Sequence, residues 1–251
     1  MYNLTYTFLN RAFRILRRNY GCPGNDRLSI KEIKKSYKYY IEKLTQQIDN
    51  KSYKFEAHPK FITIYDSCKS GRRIFIYNVL ERWVQHYIKL HIDPLINLVL
   101  SEYVYAYRRG KTDIESYDYI LKNKPEYVLR LDIENFFESI DKNYLFELLK
   151  EIGVHKDLIK LIKNSYSHHK IGLPAGHVLS CTLSNLYLKN FDYKFPHNYT
   201  RYSDDMMFAL NSRYDVENSI KLVEHLLDEY NFKLNHNKTK VFVKPTMELL
   251  K

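Results

Sequence analysis

The fold of this chain is decided by one stretch, Arg201-Tyr202-Ser203-Asp204-Asp205-Met206-Met207-Phe208-Ala209-Leu210. Two adjacent aspartates stand there between apolar segments, although Asp is depleted in strands and neighbouring carboxylates repel each other. The pattern predicts a strand, a tight turn at the aspartates and a second strand over 199–210. Asp is also a common turn residue, so the pair alone indicates turn chemistry and a metal site equally.

Another acidic residue follows an apolar strand far upstream in the sequence. Residues 127–131 read Tyr-Val-Leu-Arg-Leu, and Asp132 comes directly after them. Asp132 also suits the N-cap of a helix. If this strand lies beside the 199–210 hairpin, however, Asp132 comes close to Asp204 and Asp205. Three carboxylates at that distance are costly unless cations neutralise them, and magnesium prefers a few carboxylates together with water and substrate phosphates.

The rest of the second half alternates helices with short strands. Apolar residues recur at helical spacing in four segments, with turn and strand signals between them. The predicted helices are 142–152, 155–166, 177–191 and 215–230, a turn is predicted at 172–176, and short strands are predicted at 232–234 and 240–243. This order predicts an antiparallel sheet with helices on one face, an α+β layer.

The first half combines helical spacing with a hairpin pattern. The predicted elements are a helix at 30–48, strands at 61–65 and 74–77, a polar hairpin tip at 66–73 and a helix at 79–92. We expect the two halves to form two subdomains of one fold, with a boundary near 110–126.

Composition limits the class of protein. The chain has 251 residues, of which 45% are hydrophobic and 27% charged, so it can fold around a sizeable core. Its formal net charge of +11 suggests a polyanionic partner, with nucleic acid the first expectation. Three widely spaced cysteines support neither a disulfide framework nor a four-ligand zinc site. Since no apolar run reaches the roughly 20 residues of a membrane helix and no secretion signal is visible, we expect a cytoplasmic protein without a membrane partner.

Four segments, in order along the chain, resemble the catalytic motifs of reverse transcriptases. They read Asp132-x-x-x-Phe136-Phe137-x-Ser139-Ile140, Gly172-Leu173-Pro174-Ala175-Gly176-x-x-x-Ser180-x-x-Leu183-Ser184-Asn185-Leu186-Tyr187-Leu188, Tyr202-Ser203-Asp204-Asp205 and Leu234-Asn235-x-x-Lys238-Thr239. In the first half, Lys69-Ser70-Gly71-Arg72-Arg73-Ile74 resembles the fingers hairpin of bacterial reverse transcriptases. The resemblance extends from Gly21 to Val243, in the group II intron-like lineage. It implies a right-hand polymerase fold, with the fingers and part of the palm over 1–125 and the catalytic palm over 126–251, whose antiparallel sheet packs on helices.

The resemblance also assigns a metal site. Asp132 and Asp204 would be the main ligands of two magnesium ions, or of manganese in their place, with Asp205 secondary and Ile133 in the same ligand set. The ions would lower the pKa of the primer hydroxyl and neutralise the incoming triphosphate. Lys238 would be the general acid for pyrophosphate, although it fits an exposed lysine in a turn equally well.

Contacts to the nucleotide and the template are implied in the same way. Phe137 stands at the position whose bulk excludes a ribose 2′-hydroxyl, although core packing is the alternative explanation. Ala175 stands where many relatives have Gln, a departure that removes no catalytic group. The remaining implied contacts are Lys69, Arg72, Arg73 and Gly176 with the nucleotide, and Arg108, Arg109, Gly172, Pro174 and Tyr202 with template and primer. The cations among them also fit solvated loops.

The resemblance implies an RNA-directed DNA polymerase, a nucleotidyltransferase that adds dNTPs to a primer. Its partners would be the dNTPs, the DNA product and an RNA template such as a dedicated noncoding RNA, and its short form favours the defence-associated bacterial group, with a role in antiphage defence. Two other functions stay open. One is template-independent or protein-primed DNA synthesis by the same site, and the other is a catalytically silent nucleic-acid-binding subunit. The intact acid triad argues against the silent subunit, because binding alone needs no adjacent Asp pair.

The end of the sequence adds one expectation about partners. In the family, a primer-grip hairpin and a helical thumb follow the fourth motif, whereas this sequence ends at Lys251, soon after Val243. We expect no room for a full thumb there. We therefore expect a homo-oligomer, an accessory protein or a structured RNA to take its place.

Overall fold

The computed structural model of the protein describes residues 4–18, 21–55, 58–65, 71–195 and 197–250. The chain forms two compact units. Unit 1 consists of Met1–Leu98 and Asp141–Leu183, and unit 2 consists of Val99–Ile140 and Ser184–Lys251. This division differs from a single boundary near 110–126, because the helical segment Asp141–Leu183 belongs with the first unit. The assignment of fingers and palm to 1–125 and 126–251 stays a prediction.

Helices and strands occur in both units. In chain order they are α1 (Leu4–Leu16), α2 (Ile30–Lys35), α3 (Tyr37–Asp49), β1 (Lys60–Tyr65), β2 (Gly71–Ile76), α4 (Val79–Val99), α5 (Asp113–Leu121), β3 (Tyr127–Asp132), α6 (Phe136–Ser139), α7 (Lys142–Glu151), α8 (Lys156–Ser165), α9 (Ser180–Tyr187), α10 (Lys189–Asp192), β4 (Tyr199–Tyr202), β5 (Asp205–Leu210), α11 (Arg213–Asp228), β6 (Lys240–Val243) and α12 (Met247–Leu250), with a 3₁₀ turn at His236–Lys238 before β6. Among the described residues, no helix combines the length and the apolar composition that crossing a bilayer demands.

Unit 1 is organised around Trp83 of α4. The indole is fully buried, and its Nε1 donates to the backbone carbonyl of Leu9, in α1, at 2.7 Å. The ring also packs against Phe13 of α1 and Tyr37 of α3, with centroids 4.5 and 5.7 Å apart. The indole therefore joins three helices through one buried hydrogen bond and a cluster of aromatic contacts.

Two predicted helices of unit 1 differ from their observed forms. The helix expected at 30–48 is interrupted at Ser36, between α2 and α3, and α2 begins with a capping box in which Ser29 and Glu32 satisfy each other's backbone N–H groups. The helix expected at 79–92 continues to Val99. Pro94 removes one backbone donor from it without ending it, because the apolar face remains buried on both sides of the proline.

The predicted hairpin of unit 1 is present as strands β1 and β2. They pair antiparallel from Lys60 opposite Ile76 to Tyr65 opposite Gly71. The hairpin tip that the sequence predicts falls mainly on residues 66–70, which lie outside the described residues.

Unit 2 contains an antiparallel sheet with the strand order β4-β5-β3-β6. On one face, α5 covers the end of the sheet, where Ile120 packs with Val128 and Met207. On the other face, Phe195 packs against Phe208, with centroids 5.1 Å apart. The antiparallel sheet with packed helices confirms the predicted α+β layer. Apolar side chains alternate onto both faces of β3 and β5, and the expectation that helices lie on one face stays a prediction.

The role of Trp83 in unit 1 leads to a prediction about stability. Trp83→Ala removes a fully buried ring, so we expect it to lower the free energy of unfolding by about 3 to 5 kcal/mol. Leu98→Ala is the matched control, since this residue lies on the same helix with 81% of its surface exposed. Thermal unfolding followed by circular dichroism distinguishes them: equal melting temperatures for the two variants would contradict this account of the core.

Candidate active site

The two aspartates of the decisive stretch lie where β4 turns into β5. Tyr202 pairs with Asp205, so the loop between the strands consists of Ser203 and Asp204. Ser203 has a φ of 63°, whereas Asp204 has no positive φ. The left-handed conformation costs a residue with a side chain about 1 to 2 kcal/mol. This turn is therefore held in place by its surroundings.

Asp132, the last residue of β3, lies directly opposite Asp205. Residues paired in this way have Cα atoms about 4.5 to 5.5 Å apart. The next residue, Ile133, donates its backbone N–H to the carbonyl of Asp204 at 3.3 Å. The convergence of the two distant acidic segments, which the sequence predicts, is thus present in the sheet register.

Asp205 is paired with a cation on the neighbouring strand. Nε of Arg130 lies 3.0 and 2.8 Å from the two carboxylate oxygens, and Nη2 also contacts Oδ2. Burial raises the pKa of Asp205, the Arg130 guanidinium lowers it, and the charges of Asp204 and Asp132 raise it again, leaving the pKa above its ordinary value. Arg130 therefore offsets part of the repulsion within the acidic cluster.

Asp132 is held by the segment that carries the fourth sequence motif. Nζ of Lys238 lies 3.1 Å from the carboxylate, and Nδ2 of Asn235 donates to Oδ1 at 3.2 Å. The backbone N–H of Asn235 also donates to the carbonyl of Asp132 at 2.8 Å. Asp204 differs from the other two acids, because its carboxylate has no hydrogen-bonding or ion-pair partner within the described part of the chain.

The carboxylates suit magnesium in kind, although they are not arranged as a complete set of metal ligands. Among the residues that the structure describes, no group of three or more His, Cys, Asp or Glu is arranged to hold a metal ion. Magnesium is usually bound through one or two carboxylates plus substrate phosphates and water, so it needs no such cage. The Asp204 carboxylate is unpaired within the described ranges, and the partners of Asp132 are side chains that a metal ion can displace. These two carboxylates therefore suit magnesium.

The two phenylalanines after β3 have different environments. Phe136 is buried, and its ring lies 5.4 Å from that of Phe232. Phe137 is half-buried and meets Phe136 edge to face at 5.4 Å. Phe136 therefore belongs to the core of unit 2, whereas Phe137 keeps an accessible surface. Its predicted contact with the sugar stays a prediction.

The turn over 172–176 lies in unit 1, where it packs against β2. Phe75 donates its backbone N–H to the carbonyl of Ala175 at 2.8 Å. A Cβ atom added to Gly176, whose φ is 95°, would lie 2.2 Å from the carbonyl of Phe75, so only glycine fits. Lys142 donates to the carbonyl of Gly172 at 3.1 Å, and Ser180 Oγ donates to that of Pro174 at 2.8 Å. These contacts give the residues of the motif a role in folding. Their contacts with nucleotide and template stay predictions.

The predicted cationic contacts have mixed outcomes. Lys69 and the side chain of Arg72 lie outside the described residues. Arg73 is exposed, with its guanidinium 5.2 Å from the ring centroid of Phe61. Arg108 donates to the carbonyls of Ser101 and Val104 at 2.7 and 3.0 Å, which gives it a structural role. Arg109 and Tyr202 are exposed on unit 2.

Sequence reasoning missed two partners of the acids, Arg130 and Asn235. A signal for Arg130 exists, because a cation in an apolar strand two residues before Asp132 must lie on the same face of the sheet. Asn235 belongs to the fourth motif, but its spacing alone does not indicate a contact with Asp132.

Comparisons with known proteins address the family. The sequence profile described as reverse transcriptase (RNA-dependent DNA polymerase) matches residues 58–250. The COX1/OXI3 intron 2 protein of Saccharomyces cerevisiae is 25% identical over 167 residues, and the retron Ec86 reverse transcriptase of Escherichia coli is 27% identical over 120 residues. These matches cover 61% and 45% of this chain but 19% and 37% of the relatives' own lengths.

Solved structures share the fold. The apo telomerase of Candida tropicalis, truncated of its C-terminal domain, has a TM-score of 0.55 at 15% identity, over 91% of this chain and 60% of that one. Telomerase from Candida albicans in complex with a fragment of telomeric RNA has a TM-score of 0.52 at 14% identity, over 87% and 47%. These similarities confirm the predicted polymerase-like α+β fold. Because the family profile matches well over half of its length, this chain belongs to the reverse transcriptase family.

Proposed function

We propose that this chain is an RNA-directed DNA polymerase that adds dNTPs to a primer. One observation supports the proposal above all others: the register of β3 and β5 places Asp132 opposite Asp205, with Asp204 in the adjoining turn. Acids that converge from two distant segments repel each other, and a bound cation would offset this repulsion. The family profile over residues 58–250 supports the same activity.

Asp132 and Asp204 would hold divalent metal in this site, with Asp205 secondary and Ile133 in the same ligand set. Bound magnesium, or manganese in its place, would lower the pKa of the primer hydroxyl and neutralise the triphosphate. Arg130 keeps Asp205 in an ion pair beside them.

Lys238 is proposed as the proton donor to the departing pyrophosphate. It lies 3.1 Å from the Asp132 carboxylate, and its side chain is largely exposed, so it has room to turn toward a substrate.

The proposed partners are an RNA template, the DNA product and dNTPs. The net charge of +11 supports binding to nucleic acid. Among the proposed contacts, the structure describes Arg73, Arg109, Gly176 and Tyr202 as exposed. A role in bacterial antiphage defence, a cytoplasmic location and a second subunit or RNA that holds the duplex stay predictions from the sequence.

The acidic cluster generates the first functional prediction. Asp204→Asn keeps the shape of the side chain but removes its charge, so we expect magnesium-dependent dNTP incorporation on a primed RNA template to fall by at least about 100-fold, since metal ligands supply several kcal/mol of charge stabilisation. Asp118→Asn, an exposed aspartate of α5 in the same unit, should retain wild-type activity. EDTA should abolish wild-type incorporation and added magnesium should restore it. Wild-type rates in Asp204→Asn would refute the proposed site.

The half-buried ring of Phe137 generates a second functional prediction. Phe137→Ala removes the bulk proposed to exclude a 2′-hydroxyl, so we expect the preference for dNTPs over rNTPs to fall by about tenfold or more. Phe137→Tyr retains the ring and should retain the preference. The ratio of kcat/KM values for dNTP and rNTP measures the effect, and an unchanged ratio in Phe137→Ala would show that this ring only packs.

A further inference from the structure

A buried ion pair lies beside the turn that carries Asp204. Arg201, in β4, and Asp192, in α10, are both fully buried. Nε of the guanidinium donates to Oδ1 of the carboxylate at 2.7 Å, and Nη2 donates to Oδ2 at 2.6 Å. Well-packed apolar residues often replace such a pair without loss of stability. Its presence at this position therefore points to a role other than stabilising the core.

The remaining arm of the guanidinium reaches the turn itself. Nη1 of Arg201 donates to the backbone carbonyl of Ser203 at 2.8 Å and to Oδ1 of Asn185 at 3.1 Å. The amide of Asn185 donates in turn to the carbonyl of Ala106 at 2.7 Å. The planar fork of arginine thus pairs a carboxylate through two nitrogens and reaches a backbone carbonyl at the same time, a geometry that the compact ammonium group of lysine does not reproduce.

The partners of Arg201 are themselves fixed. Tyr199, also fully buried, donates its hydroxyl to Oδ1 of Asp192 at 2.9 Å. The backbone of Arg201 pairs with the segment before Arg108, accepting from Tyr105 N–H at 2.9 Å and donating to the carbonyl of Tyr103 at 2.9 Å. We call Arg201, Asp192, Asn185 and Tyr199 the Arg201 network.

The Ser203 carbonyl matters because of the planarity of the peptide bond. The carbonyl oxygen of Ser203 and the Cα atom of Asp204 lie in one rigid plane. A hydrogen bond that fixes this oxygen therefore also fixes the Cα atom of Asp204, from which the side chain extends. Ser203 has a positive φ, so the turn tends to relax when that hydrogen bond is lost.

We propose that Arg201 is a positioning residue for the metal-binding carboxylate of Asp204, acting through the carbonyl of Ser203. This inference rests on the proposed function, because it takes Asp204 to be a ligand of the divalent ion. The Arg201 network holds the turn in the conformation that presents Asp204 beside Asp132. It thereby provides metal affinity rather than overall stability, as residues that orient metal ligands commonly do.

Two sets of substitutions separate positioning from stability. Arg201→Lys retains a charge for Asp192 but loses the fork that reaches Ser203. The triple variant Asp192→Leu, Tyr199→Phe and Arg201→Met replaces the ion pair by apolar side chains, so it tests the same loss if the lysine variant does not fold. Ser116→Ala is the matched control, because it removes a buried hydrogen bond to Oγ1 of Thr200, at 3.0 Å in the same unit, and leaves the contacts of Arg201 with Asp192 and Ser203 in place.

Binding of Mn²⁺ to the purified full chain, measured by electron paramagnetic resonance, reports on the site without requiring catalysis. The signal of free Mn²⁺ weakens as the ion binds, and the bound Mn²⁺ that is lost in Asp204→Asn defines the ions held at this site. We expect both Arg201 variants to need about 10- to 100-fold more Mn²⁺ for half-saturation of this site. Ser116→Ala should bind like the wild type even where its melting temperature falls as far as that of Arg201→Lys. The magnesium concentration for half-maximal DNA synthesis should shift in parallel.

The outcomes distinguish this inference from the proposed function. If folded Arg201 variants bind Mn²⁺ as Ser116→Ala does, Arg201 does not position Asp204, whether or not the wild type makes DNA. If the Arg201 variants lose Mn²⁺ affinity while the wild type copies no primed template, the positioning role stands and the polymerase proposal fails. A wild-type chain with no Asp204-dependent Mn²⁺ binding would overturn the inference directly.

Discussion

The pairing of β3 with β5 is the constraint on which the site depends. Side chains alternate between the faces of a sheet, so a shift of one residue would move Asp132 to the face opposite Asp205. The register is set by apolar residues, since Leu129 and Leu131 must be buried on one face while Val128 packs with Ile120 on the other. Core packing at one end of the strands thus determines how the carboxylates meet at the other.

Placing three acids together creates repulsion that cations from separate segments offset. Arg130 comes from β3 itself, while Lys238 comes from the 3₁₀ turn before β6. Both lie beside a carboxylate, and the carboxylate of Asp204 has no such partner in the described ranges. The arrangement leaves the aspartate of the turn available to a metal ion while its neighbours are partly neutralised. The Arg201 network holds the turn through the backbone carbonyl of Ser203 and not through an ion pair with the acids of the site.

Several elements show where sequence patterns suffice and where they do not. The strands over 199–210 and the hairpin of unit 1 were predictable because alternation and turn residues act locally. The split at Ser36 was not, because the helical spacing continues across the break. The extension of α4 past Pro94 was also missed, since burial of the apolar face outweighs the single lost hydrogen bond. Packing contributes in each of these cases a free energy that a local pattern does not contain.

The sequence by itself determined the family, the order of the motifs, the α+β class and the acids Asp132, Asp204 and Asp205, because motif spacing and residue type are properties of the chain. Only the tertiary structure decided which groups surround them. Arg130 meets Asp205 across 75 residues, and Lys238 meets Asp132 across 106. Arg201 bonds Ser203, only two residues away, yet its fork is aimed there by Asp192 and Asn185. Such contacts depend on strand register and buried hydrogen bonding, which arise when separate segments pack and which no spacing along the chain specifies.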